Sequence, residues 1–157
     1  MIVRRGGADD VDAIAALHER SRAAYYGDAL DAEDAQRDRR PMWRRLLRES
    51  DAHVLCAVED DSVVGFLCLR WQIKEVEVEL HSLYVDPPWF GAGVADALHE
   101  RFVEGLSGRP AHLDVWNRNE RAKAFYRRRG WSPSDQTRPG PAGTPFVTWR
   151  RPARLRG

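Results

Sequence analysis

The spacing of apolar residues along this chain changes period twice. Val11, Ile14, Leu17 and Ser21, followed by Ala24 and Tyr25, recur at helical intervals. They predict an amphipathic helix after the short strand "MIVRR". Between the two, "GGADD" breaks the strand, and Asp9 or Asp10 stands where a helix cap belongs. A polar stretch, "GDALDAEDAQRDRRP", leads to Pro41 and a second helical piece carrying Met42, Trp43, Leu46 and Leu47. The period then drops to two. "HVLCAVEDDSVVGFLCLRW" predicts a hairpin turning at Glu59 to Asp61. "EVEVELHSLYV" alternates strictly, which assigns Val76, Val78, Leu80, Ser82 and Tyr84 to one face. Glu77, Glu79, His81, Leu83 and Val85 fall on the other. Helical spacing returns with Val94, Leu98, Phe102 and Leu106, flanked by Ala95 and Val103. A short strand "AHLDVW", a helix "NERAKAFYRRRG" closed by Gly130, and a last strand "TPFVTWRR" complete the chain, with "WSPSD" a candidate for one more strand.

The predicted order is β, α, α, β, β, β, α, β, α, β. Its late βαβ unit requires one parallel pairing in an otherwise hairpin-like sheet, so the class is α/β or α+β with a mixed sheet. No repeat or low-complexity linker divides the chain. One domain is expected over residues 1–152, with a loose tail at 153–157. Hydrophobic content of 43% and charged content of 31% fit an ordinary soluble protein. The formal charge of +1 gives no footprint for nucleic acid or an anionic membrane, so neither is expected as a partner. No apolar run approaches the roughly 20 residues of a membrane span. "MIVRRGGADD" holds no apolar leader segment. A cytoplasmic location follows as the default. Cys56 and Cys68 lie in apolar runs and read as small core residues, and no metal is expected.

The chemistry concentrates in "LYVDPPWFGAGVADALHERF", Leu83 to Phe102, where a strand hands over to a helix through two glycines. Gly91 and Gly93 stand beside the first helical turn, whose amides lack intrahelical partners. They either make a tight turn or let those amides approach an anion. Two other phosphate motifs are excluded. A dinucleotide fingerprint would want a third glycine where Asp96 stands, and no P-loop pattern occurs.

A second constellation, "LDVWNRNERAKAFYRRRGW", sets Asn119 at a helix start, then Ala122, Phe125 and Tyr126, and closes on Gly130 and Trp131. Together with "LYVDPPWFGAGVA" it resembles the GNAT superfamily of acetyl-CoA-dependent N-acetyltransferases, in order and spacing from about Val54 to Trp131. The resemblance implies a single-domain GNAT-like fold: a mostly antiparallel sheet with one splayed parallel strand pair and helices on both faces. It implies acetyl-CoA as cosubstrate, with pyrophosphate against Phe90, Gly91, Ala92, Gly93, Val94 and Ala95. Phe90 departs from the family's usual Gln or Arg at the head of the turn. The pantetheine arm would pair with backbone near Leu83 and Val85 and touch Asn119. An amide near Leu83 could polarise the thioester carbonyl.

The reaction so implied is direct attack by a neutral primary amine on the acetyl carbonyl. Tyr126 matches the family tyrosine assigned as acid toward the sulfur; packing beside Phe125 would also account for it. The base is Glu79 or His81, or water, with Glu79 favoured because many members carry an acid near it. A wet strand face explains Glu79 as well. Trp71, Trp89 and Trp116 read as packing residues, and Arg127 to Arg129 as a solvated helix end that could also reach the 3′-phosphate. The other reading left open is a non-catalytic acyl-CoA-binding module. The acceptor, a small-molecule or peptide amine, would be shaped by residues from about Tyr25 to Arg48, and a homodimer is an expectation by analogy.

Overall fold

The computed structural model describes residues 1–72 and 74–154. Seven strands form one sheet: β1 (Ile2–Arg5), β2 (Ala52–Glu59), β3 (Ser62–Arg70), β4 (Val78–Val85), β5 (Ala111–Trp116), β6 (Ser132–Arg138) and β7 (Phe146–Arg151). They lie in the order β1-β2-β3-β4-β5-β7-β6, antiparallel throughout except for β4 with β5. The helices are α1 (Val11–Tyr26), the single turn α2 (Ala32–Ala35), α3 (Arg40–Leu46), α4 (Val94–Leu106) and α5 (Glu120–Arg128). The expected mixed sheet is present, and "WSPSD" does open the additional strand β6.

The apolar stripes set which face each helix covers. Val11, Ile14 and Leu17 of α1 bury against Trp43, Leu46, Val54, Cys56, Phe66 and Cys68 on one side of the sheet. Val94, Leu98, Phe102 and Leu106 of α4 pack with Leu67, Leu80, Leu113, Tyr126 and Trp149 on the other. Both cysteines are buried and free, and burial pushes each thiol up to about 12, which keeps it protonated and inert. Asp10 occupies the position before α1 but makes no side-chain cap. Its carboxylate accepts instead from both guanidinium nitrogens of Arg4, at 2.8 and 2.9 Å, and from the Gly7 amide. A bidentate charged pair outcompetes the weaker cap bond.

Two features of β4 depart from strict alternation. The strand begins at Val78, so Val76 lies outside it and is 76% exposed. Cys68 pairs with Ser82 and Leu69 with Leu80, which leaves His81 as the extra residue of a β-bulge. The bulge exchanges the faces: Val78 and Leu80 share the α4 side with Leu83 and Val85, and Tyr84 packs on the α1 side. The expected grouping of Val78, Leu80, Ser82 and Tyr84 on one face is therefore corrected.

The parallel pair is short. Only Val78 with Ala111 and Glu79 with His112 are in register, after which β4 and β5 part while β5 continues its ladder with β7 as far as Trp116 and Phe146. Of the expected tail, residues 155–157 lie outside the described residues. The Arg154 amide is anchored, donating to the Gly108 carbonyl at 3.0 Å.

Candidate active site

Where β4 and β5 diverge, a cavity of about 320 Å³ opens between β4, β5, α4 and α5. Ladder parity decides which backbone groups face it. The Asp86 amide donates to Val64 of β3, so Leu83 and Val85 turn their amides and carbonyls the other way, into the gap. The Val85 carbonyl is held by the buried Ser21 hydroxyl of α1 at 2.7 Å, and the Tyr25 phenol lies beside the Val85 amide. Neither contact was legible in the sequence, because helical spacing gave Ser21 and Tyr25 only a place on the buried face of α1.

At one end of the cavity Gly91 and Gly93 adopt φ of 79° and 84°, the left-handed region that glycine enters without strain. Gly93 precedes α4 without any side-chain cap, so the amides of Val94, Ala95 and Asp96 remain open toward the cavity. A Cβ built on either glycine would meet, among the described residues beyond its chain neighbours, no atom within 4 Å. The space beside the turn is empty, as an approaching anion would need. Phe90 and Ala95 border the cavity with the glycines, whereas Ala92 is not among its lining residues; it is exposed, its amide spent on the Trp89 carbonyl. Asp96 pairs with Arg129, which neutralises the one carboxylate at this helix start.

Asn119 and Tyr126 form the α5 wall. The Asn119 side chain accepts from the Ala122 amide at 3.0 Å and so caps α5 while bordering the cavity. Tyr126 is 8% exposed, and burial pushes its phenol above the ordinary range. It stays protonated, as a donor must.

A second cavity of about 740 Å³ lies on the far side of the splay, bounded by α1, the segment before β4, and strands β5 to β7. The two cavities share Tyr26, Leu80, His81, Ser82, Tyr84, Leu113 and Asp114, so they adjoin at the strand gap. Glu79 belongs to the second cavity only. His112 stands across from it on the last paired rung, its Nε2 3.7 Å from Glu79 and its Nδ1 3.2 Å from Glu77. The His112 side chain lowers the Glu79 pKa, and Glu79 in turn raises that of His112. His112 carried no sequence signal, since its partners follow from the β4–β5 register alone. His81, displaced by the bulge, borders both cavities; desolvation lowers its pKa, and its Nδ1 lies 2.6 Å from the Ser82 hydroxyl. Glu77 and Asp114 are matched by Arg150 at 3.2 Å and Arg138 at 2.7 Å.

A sheet opened between two parallel strands, with an amide-rich helix start on one side and an ionisable cavity on the other, defines an acyltransferase architecture. The model of the acetyltransferase (GNAT) family matches residues 14–131, and the chain belongs to that family. It is 31% identical over 135 residues to an N-acetyltransferase of Archaeoglobus fulgidus described as uncharacterized, a match covering 80% of this chain and 89% of that one. It is 28% identical over 93 residues to the 5-NmdU N-acetyltransferase of Pseudomonas phage PaMx11, covering 59% of this chain and 66% of the phage protein, just under two thirds of its length. The fold is shared with the PaiA N-acetyltransferase of Thermoplasma acidophilum in complex with coenzyme A, at a TM-score of 0.79 and 18% identity over 96% of this chain and 98% of that one.

Proposed function

We propose that this chain transfers an acetyl group from acetyl-CoA to a primary amine by direct attack. The meeting of two cavities at the splayed strands carries the reading: a thioester arm enters from the α4 side and an amine from the other, without either crossing the sheet. The pyrophosphate rests on the amides of Gly91, Gly93, Val94, Ala95 and Asp96, with the Ala92 amide already used by the turn. The pantetheine amides pair with the gap-facing backbone of Leu83 and Val85, and the Leu83 amide donates to the thioester carbonyl as its oxygen gains charge. The amine nitrogen bonds to the carbonyl carbon, and collapse of the tetrahedral centre breaks the carbon–sulfur bond. Tyr126 donates to the departing thiolate.

Proton removal from the amine falls to the β4 face. Glu79, ionised beside His112, holds the incoming ammonium; its lowered pKa suits binding a cation better than accepting a proton. His81 is neutral near pH 7 and borders both cavities, so it takes the proton, with Glu79 raising its affinity for that proton. The acceptor class is an amine small enough for a cavity of about 740 Å³, and the compound named for the phage relative, 5-NmdU, belongs in the first panel of candidates.

The test is a thermal-shift measurement with acetyl-CoA, followed by acetyl-CoA consumption with a panel of amines. At about 100 times the Kd, ligand adds about 2.7 kcal/mol, which raises Tm by about 5 to 10 °C for a domain of this size. A folded protein with no shift would sink the cofactor assignment. A shift with no turnover on any amine would favour the binding-module reading.

A further inference from the structure

The glycine turn carries no charged or polar side chain of its own: Phe90, Gly91, Ala92, Gly93, Val94 and Ala95 offer only backbone. A cation reaches it from α5. The Arg121 guanidinium lies over the Phe90 ring, 4.6 Å from its centroid, and both residues border the 320 Å³ cavity. The Phe90 ring is itself set against Tyr25 at 5.6 Å between centroids, so the platform beneath the guanidinium is packed. Guanidinium is weakly hydrated and stacks well on aromatic faces, which keeps its donors free for a ligand.

Three neighbouring cations, on α5 and just after it, are already engaged. Arg129 pairs with Asp96 and lies 3.6 Å from the Phe125 centroid, Arg127 faces Trp149 at 5.4 Å, and Lys123 pairs with Glu120 at 2.9 Å. Among the described residues no carboxylate comes within ion-pair distance of Arg121. Arg128 also borders the cavity, but among the described residues no aromatic ring lies beneath it.

We propose that Arg121, held in place by the Phe90 ring, binds the pyrophosphate of the CoA cosubstrate and supplies the charge the glycine turn lacks. This assignment rests on the acetyl-CoA reading above. It predicts that Phe90 acts only through Arg121, and that the contribution disappears for ligands without the pyrophosphate.

The experiment compares wild type with Arg121→Ala, Arg121→Lys, Phe90→Leu and the Phe90→Leu/Arg121→Ala double variant. Dissociation constants for CoA and dephospho-CoA come from calorimetry, and that for pantetheine from NMR titration. Arg121→Ala should weaken CoA and dephospho-CoA alike by about ten- to a hundredfold, the range for one charge-assisted hydrogen bond. Pantetheine binding should be unchanged. Arg121→Lys should recover part of the loss, and Phe90→Leu should weaken CoA in the wild-type background yet add little to Arg121→Ala. An equal loss for pantetheine would make Arg121 merely structural and overturn the assignment. So would a loss confined to CoA, which would place Arg121 at the 3′-phosphate, and so would wild-type affinity in Arg121→Ala. A wild-type chain that binds none of the three ligands would overturn the cofactor reading itself and this assignment with it.

Discussion

Tyr126 and His81 differ in what each side chain does for the rest of the protein, and that difference makes their roles separable. Tyr126 packs its ring edge-on to Phe125 at 5.2 Å and Trp131 at 5.7 Å, while its hydroxyl has no protein partner among the described residues. Tyr126→Phe keeps the packing and removes the donor. It should leave the urea midpoint nearly unchanged and lower kcat by about a hundredfold or more, the usual scale for a general acid. A kcat within a few-fold of wild type would confine the tyrosine to the core. His81 stands at a bulge, with its surface open to solvent outside both core clusters but its imidazole crowded enough by the cavity walls to lose hydration. His81→Gln should therefore cost kcat at constant stability, whereas Glu79→Gln should act mainly on KM for the amine, because it removes the charge that holds the ammonium. The reverse pattern would return the base role to Glu79.

At the scale of elements, the glycine turn and the splay make one device: α4 begins where β4 stops pairing. Gly93→Val introduces a β-branched residue at a φ of 84°, which costs about 1 to 2 kcal/mol or somewhat more. No clash with the described residues adds to that cost, since beyond the chain neighbours none of their atoms lies within 4 Å of the added Cβ. The side chain projects instead into the space an anion would fill, so CoA affinity should fall further than stability. Calorimetry against urea unfolding checks this, and equal losses would leave the glycines as turn formers only. The turn and both long helices were legible in the sequence, because a 3.6-residue stripe and a Gly-x-Gly boundary are local signals. The bulge was not. "EVEVELHSLYV" has neither glycine nor proline to mark it, and the cause lies across the ladder, where Leu69 and Cys68 skip His81. The same holds for His112 and Arg121, whose meaning comes from residues more than 30 positions away. Phe90 was visible as a departure from the family's turn, but what seats on it was not.

Across the whole molecule, each face of the sheet buries a neutral histidine that accepts an indole N–H. Trp43 donates to His18 Nδ1 at 3.1 Å on the α1 side, and Trp131 donates to His99 Nε2 at 2.9 Å on the α4 side. Both imidazoles are nearly inaccessible, at 8% and 5% exposure, and burial pushes them down to about 3 and about 4. The unfolded chain protonates such histidines near pH 6.5, well before the folded protein does, so it binds more protons between those values. Stability is therefore complete above about pH 6.5 and declines as pH falls toward the folded values. At pH 5 each histidine removes about 2 kcal/mol, at 1.36 kcal/mol per unit. His81 and His53 are also lowered and act in the same direction, while His112 is raised beside Glu79 and offsets part of the loss. Asp34, lowered to about 2 by Arg22, contributes only at more acidic pH, once free carboxylates begin to protonate, so the decline between pH 6.5 and 5 belongs to the histidines. Urea unfolding at pH 7.5 and pH 5 should show an unfolding free energy several kcal/mol lower at the acid end, with a lower midpoint and an unchanged m-value. His99→Gln keeps an acceptor for the Trp131 indole but cannot take a proton. It should be less stable than wild type at pH 7.5, where it leaves a poorer fit, and should lose less on acidification. A variant as acid-sensitive as wild type would remove His99 from this account and leave His18 to carry it.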